Sequence, residues 1–111
     1  MNEEKIQTVV SQFAWEAKKI YGTALRDVIL YGSCARGDFA DDSDIDIMVL
    51  LDVREEEIGD ARKKILDVSD QIDLEYDVVL APVIQSWQLY KQYMEVSGFY
   101  QNVGREGVRY A

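Results

Sequence analysis

Between residues 3 and 21, Ile6, Val9, Val10, Phe13, Ala17 and Ile20 recur at helical spacing and predict an amphipathic helix that Gly22 stops. Val28-Ile29-Leu30-Tyr31 is a short unbroken apolar run and predicts a buried strand. Residues 32–43 are small, polar and acidic, which predicts a loop with room for one helical turn. Residues 44–52 predict the second strand. Ile58, Ala61, Ile65 and Val68 return to helical spacing and predict a helix over 55–70. In 73–80 the pattern alternates, with Asp73, Glu75 and Asp77 on one face and Leu74, Tyr76, Val78 and Leu80 on the other, which predicts a third strand. Pro82 suits the first turn of a helix running to about Val96, Gly98 ends it, and a short helix covers 99–106. The series predicts an α+β fold with a mixed sheet of three or four strands. No repeat, low-complexity tract or linker interrupts it, so residues 1–111 read as a single domain.

The second strand departs from a purely apolar pattern. Asp44 and Asp46 alternate with Ile45 and Ile47, so both carboxylates point to one face with Cα atoms roughly 6.5 Å apart. Two carboxylates in an apolar strand are costly unless something neutralises them. Magnesium would, because it takes hard oxygen ligands, commonly one or two carboxylates plus phosphate oxygens. The pair Gly32-Ser33 stands directly after the first strand, separated from Asp44 by ten residues. Glycine lets a backbone approach a ligand closely, and the Ser33 hydroxyl with nearby N–H groups can donate to phosphate. Arg36 is the nearest cation and suits phosphate in bidentate geometry, although it reads equally as a surface charge. A phosphate cradle beside a divalent-metal site points to a nucleoside triphosphate with magnesium. A third carboxylate on the third strand would complete the set. Asp77, deepest in its apolar part, is the first choice, with Asp73 and Glu75 nearer the strand entrance.

Composition narrows the chemistry. Among 111 residues there is no histidine, which excludes His-based general base catalysis, Ser-His-Asp triads and His metal sites. The single Cys34 excludes an internal disulfide and a multi-cysteine zinc site, and no base neighbours it in sequence to make it a nucleophile. The net charge of −9 argues against direct binding to a nucleic-acid backbone and suits a basic protein partner. No apolar run approaches the roughly 18 residues of a membrane span, and the N-terminus is polar and acidic, so the expectation is a soluble cytoplasmic protein.

The pattern Gly32-Ser33, ten residues, Asp44-X-Asp46 resembles the signature of the DNA polymerase β-like nucleotidyltransferase superfamily. The wider run Gly-Ser-X-Ala-Arg-Gly-Asp followed by Ser43-Asp-Ile-Asp-Ile, the short length and the tail from Phe99 to Val108 are similar to its minimal nucleotidyltransferase (MNT) branch. The resemblance implies a small mixed sheet with helices packed on one side, as in a polymerase palm. It implies that Asp44 and Asp46 ligate two magnesium ions, that Asp77 holds the ion nearer the nucleophile, and that Gly32 and Ser33 hold the phosphates. The implied reaction is attack on the α-phosphate of ATP, with AMP transferred and pyrophosphate released. Small members of the branch are similar to antitoxins paired with HEPN-domain ribonuclease toxins. That implies AMP transfer to a tyrosine of such a toxin and a hetero-oligomer with it.

Blander readings stand beside these. Gly32-Ser33 alone would be a turn, and Asp44 with Asp46 alone a solvated strand end; their combination between two apolar strands favours the site. Arg36-Gly37-Asp38 matches an adhesion tripeptide only by letters, and Glu55-Glu56-Glu57 is an acidic helix start. Trp15, Trp87, Tyr90, Tyr93 and Met94 read as core or interface, and the Trp87–Met94 helix as a surface for a partner. Two alternatives remain: an antitoxin that neutralises by masking without catalysis, and a transferase for a small aminoglycoside-type substrate.

Overall fold

The computed structural model describes residues 1–111. Helix α1 (Glu3–Tyr21) starts at Asn2, whose side chain accepts the Lys5 N–H at 2.8 Å. Glu3 and Glu4 in its first turn and Lys18 and Lys19 in its last complement the helix dipole. A short 3₁₀ turn over Gly22–Ala24 leads into β1 (Leu25–Tyr31). One helical turn, α2 (Ser33–Arg36), and a loop lead to β2 (Ile45–Leu51). Helix α3 (Ile58–Tyr76) is followed by β3 (Leu80–Ser86), α4 (Trp87–Tyr93), α5 (Gly98–Glu106) and the two-residue β4 (Val108–Arg109). The sheet order is β3-β2-β1-β4; β1 pairs antiparallel with β2 and β4, and β2 pairs parallel with β3. This is the expected α+β class with a mixed sheet of four strands. No helix is long and apolar enough to cross a membrane.

The two long helices cover one face of the sheet, where Phe13 and Ile6 of α1 and Ile65 and Ile72 of α3 enclose Ile45, Ile47, Val49 and Leu51. The opposite face is covered too. There Ile29, Met48 and Leu50 pack against Tyr90 of α4 and Val103 of α5. The side-chain alternation of β2 therefore feeds two cores, and Asp46 belongs to the second face.

Residues 70–96 are arranged differently from the sequence expectation. The helix expected over 55–70 runs on to Tyr76, because Ile65, Ser69 and Ile72 continue its buried stripe. The third strand is Leu80–Ser86, not 73–80. Leu74, which that strand would have buried, is 87% exposed. Asp77 ends α3 in a left-handed conformation (φ 53°), an uncommon state that aspartate tolerates better than most residues. Pro82 lies inside β3, which an edge strand permits when the proline nitrogen faces away from the ladder. Two amides of the same parity are satisfied off the sheet: Leu80 N–H donates to Asp73 at 2.9 Å and Ser86 N–H to the Gln85 side chain at 2.8 Å. Helix α4 starts at Trp87 with Ser86 as its cap, and Gly98 begins α5 instead of ending its predecessor. Trp87 is half-buried, with Lys91 and Arg26 over its ring at 3.8 and 4.8 Å, while Tyr93 of the same helix and Val96 and Phe99 beyond it are exposed.

Strand β4 is fixed partly by charge. Asp27 on β1 is only 8% exposed, and its one cationic partner is Arg109 Nε at 3.2 Å. Burial pushes the Asp27 carboxyl above the usual aspartate range, and Arg109 pulls it back down. Arg109→Ala leaves a buried carboxylate without its cation. We expect a loss of about 1–2 kcal/mol at pH 7, held to the low end of buried-partner losses because Arg109 is largely exposed. The loss should shrink as pH falls and Asp27 takes up its proton. Urea unfolding at pH 7 and pH 4 measures both, and an equal loss at the two pH values would show that the charge is not the cause.

Candidate functional site

The site begins where β1 ends. Gly32 turns the chain with φ 75°, and α2 follows at once. The first residues of a helical turn have N–H groups with no partner inside it, so Ser33 and Cys34 present theirs toward this turn. Cys34 is buried, and its thiol donates to the Asp44 carbonyl at 3.6 Å, tying the turn to the residue before β2. Asp46 sits directly across from Tyr31 in the β1–β2 register, which brings its carboxylate against Gly32. A Cβ at position 32 would lie 2.5 Å from Asp46 Oδ2, so only glycine leaves room for the carboxylate.

Asp46 is half-buried and Asp44 exposed. Burial raises the Asp46 carboxyl above its ordinary value, the neighbouring Asp44 charge raises it further, and Arg36 opposes both. Arg36 is held by Asp38 at 3.3 Å and by Glu106 of α5 at 3.7 Å. Together Tyr31, Gly32, Arg36 and Asp46 form one side of a hollow of about 270 Å³, and Phe99, Asn102, Val103 and Glu106 of α5 form the other. The Tyr31 and Phe99 rings meet edge to face at 5.9 Å. Burial, then the Asp46 charge, raise the Tyr31 hydroxyl. A larger hollow of about 610 Å³ lies beyond the far end of β2, beside Asp52 and Glu55–Glu57, and lacks the glycine-serine turn.

Of the residues singled out from sequence, Gly32, Arg36 and Asp46 line one hollow, with Ser33 and Asp44 adjoining in the chain. Asp77 is not brought to them. It is exposed at the end of α3 and lines a separate hollow with Met1, Asp41, Asp42 and Ser43. Of the two alternatives, Asp73 lies near enough to feel the Asp44 charge but its carboxylate holds the Leu80 amide, and Glu75 accepts from Gln12 at 3.3 Å. No group of three or more His, Cys, Asp or Glu stands close enough to hold a metal ion. The contribution of α5 to the hollow was not legible. Its helical pattern shows an apolar face, but not which face of the sheet that would meet.

A mixed sheet that sets the Asp46 carboxylate against a glycine-serine turn, with Asp44 two residues before it, suits an enzyme that transfers phosphoryl groups. The nucleotidyltransferase domain model matches residues 10–98, and the chain belongs to that family. The family resemblance drawn from the sequence, and with it the enzyme class, is borne out at this level. Two curated relatives from Methanocaldococcus jannaschii, each named "Putative protein adenylyltransferase", are 36% identical. One match covers 96% of this chain and 96% of the relative, the other 84% and 90%. Among solved structures, a toxin-antitoxin crystallised with AMP-PNP matches with a TM-score of 0.55 at 18% identity, covering 91% of this chain and 72% of that one. A mutant of the toxin-antitoxin MntA-HpeT matches with a TM-score of 0.54 at the same identity and coverage. These two likenesses are of fold.

Proposed function

We propose that residues 1–111 act as one catalytic domain, a magnesium-dependent protein adenylyltransferase. It would move AMP from ATP to a tyrosine hydroxyl of a HEPN ribonuclease toxin and so serve as a cytoplasmic antitoxin in a complex with it. The observation that carries this reading is the contact of the Asp46 carboxylate with Gly32, which joins the metal-binding chemistry to the phosphate cradle. The relatives named as protein adenylyltransferases support a protein acceptor, and the structural neighbour, a toxin-antitoxin crystallised with AMP-PNP, supports a toxin partner and an ATP-like nucleotide. The net charge of −9 suits a basic acceptor.

Asp44 and Asp46 supply hard oxygen donors that fit a divalent ion shared with phosphate oxygens. When bound, the ion would neutralise charge that develops on the phosphates. Gly32 and the Ser33 hydroxyl approach the phosphates, and Arg36 exchanges Asp38 and Glu106 for them. In the transfer, the acceptor oxygen bonds to the α-phosphorus, the bond to the pyrophosphate oxygen breaks, and the hydroxyl proton leaves to solvent. The exposed Phe99 on the hollow wall, with Val96 exposed three residues before it, favours one second reading, neutralisation by masking.

The test incubates the chain with ATP, magnesium and a co-expressed HEPN toxin and weighs the intact proteins. A gain of one or more AMP units on the toxin is expected. A tight complex with no gain supports masking, and transfer to an aminoglycoside without any protein acceptor overturns the proposal. Within the same assay, Arg36→Ala should raise the KM for ATP about tenfold, the low end of a charge-assisted hydrogen bond's 1.5–3 kcal/mol. An unchanged KM would remove Arg36 from the cradle.

A further inference from the structure

The strand beside the two aspartates carries no carboxylate on their face. β2 and β3 run parallel with Asp46 in register with Ala81 and Met48 with Val83. Residues in register on adjacent strands share a face. Packing fixes the parity independently: Leu80 and Ile84 sit in the core under α1 and α3, whereas Gln85 reaches Tyr100 of α5 on the opposite face. One step earlier, Ile45 N–H donates to the Val79 carbonyl at 2.8 Å, which sets Val79 beside Asp44. The column next to the aspartates therefore reads Val79, Ala81, Val83. On the other flank Asp46 faces Tyr31. The remaining acid on the hollow wall, Glu106, is drawn to Arg36.

Two carboxylates with the phosphates of a nucleotide are enough donors for one hard cation. A second ion, about 3.5–4 Å from the first in paired-metal sites, needs further oxygen donors. Where a third carboxylate would stand, this chain presents a methyl group. We infer that the chain binds one divalent ion with its nucleotide and has no second resident ion, Ala81 being the residue that withholds it. The inference rests on the proposed nucleotide site. It favours acceptors that bring an oxygen ligand or base of their own beside the target hydroxyl.

Equilibrium dialysis against Mn²⁺ and a non-hydrolysable ATP analogue, with elemental analysis of both compartments, counts the ions that the protein retains. The wild-type chain should retain one per molecule, and Ala81→Asp two. A wild-type count of two overturns the inference. So does Ala81→Asp remaining at one while its circular dichroism and melting temperature match the wild type. If that variant does not fold, the wild-type count decides alone, with Val79→Asp as the second gain-of-ligand variant. Asp44→Asn/Asp46→Asn should retain none. Retention by this double variant would sink the proposed site itself, a failure separate from that of the count.

Discussion

Asp46→Asn should reduce nucleotidyl transfer at least ~100-fold while making the protein, in the absence of metal, harder to unfold. On the proposed site, the activity loss follows from removing a direct oxygen donor, when loss of outer-shell partners alone costs about 10–100-fold. The stability gain follows from electrostatics. The Asp46 carboxyl is raised in the folded chain by burial and by Asp44, so the fold holds its proton more tightly than the unfolded chain does. Stability from this group is then present at low pH and is lost as pH rises through the window between the ordinary aspartate value and the raised one. At pH 7 its charge is a cost, which asparagine removes. Thermal melts in EDTA at pH 7 and pH 4 should show the variant ahead at neutral pH and level with the wild type in acid. A variant that loses activity and melts earlier at pH 7 would mark Asp46 as a structural residue instead.

Gly32→Ala should be damaging in both respects. The backbone at φ 75° and ψ −155° is one that a residue with a Cβ adopts at a cost of about 1–3 kcal/mol. The new methyl would also lie 2.5 Å from Asp46 Oδ2, and the carboxylate must move aside. A displacement of about 1 Å at a catalytic group can cost on the order of 100-fold. We therefore expect transfer to fall ~100-fold together with a lower urea midpoint. Adding a methyl at Gly59, which has open space around it and lies far along the chain in α3, is the control. A Gly32→Ala protein with wild-type turnover would show that the close approach of turn and carboxylate is not needed.

The parts of the fold written in one unambiguous period were legible. The stripe from Ile6 to Ala17 fixed α1, and the alternation around Asp44 and Asp46 placed β2 within a residue of its observed limits. Residues 73–80 satisfied two periods at once. Their alternation mimicked a strand, while Ile72 and Tyr76 also continued the helical stripe from Ile65. Packing decided for the helix: Ile72 is buried under the sheet, and the Tyr76 hydroxyl reaches Gln12 of α1 at 2.6 Å. The expectation for Asp77 depended on that strand. Pro82 misled for a related reason, since a proline fits both a first helical turn and an edge strand. The half of the hollow built by Phe99, Asn102 and Glu106 depends on which face α5 covers, and one chain's periodicity does not carry that information.

The outer margin of β3 has a consequence for how these molecules behave in crowded solution. An open sheet edge is a template on which a second chain can add a strand, the first step toward swapped dimers and fibres. Of the four outward amides from Leu80 to Ser86, one is occupied by Asp73, one by Gln85, and one is abolished by Pro82. Ile84 keeps the one free outward N–H of the strand, so a chain adding here would meet carbonyls but only a single donor. With three of its four outward donors removed, this edge is a poorer template for strand addition than a fully donating edge of the same length.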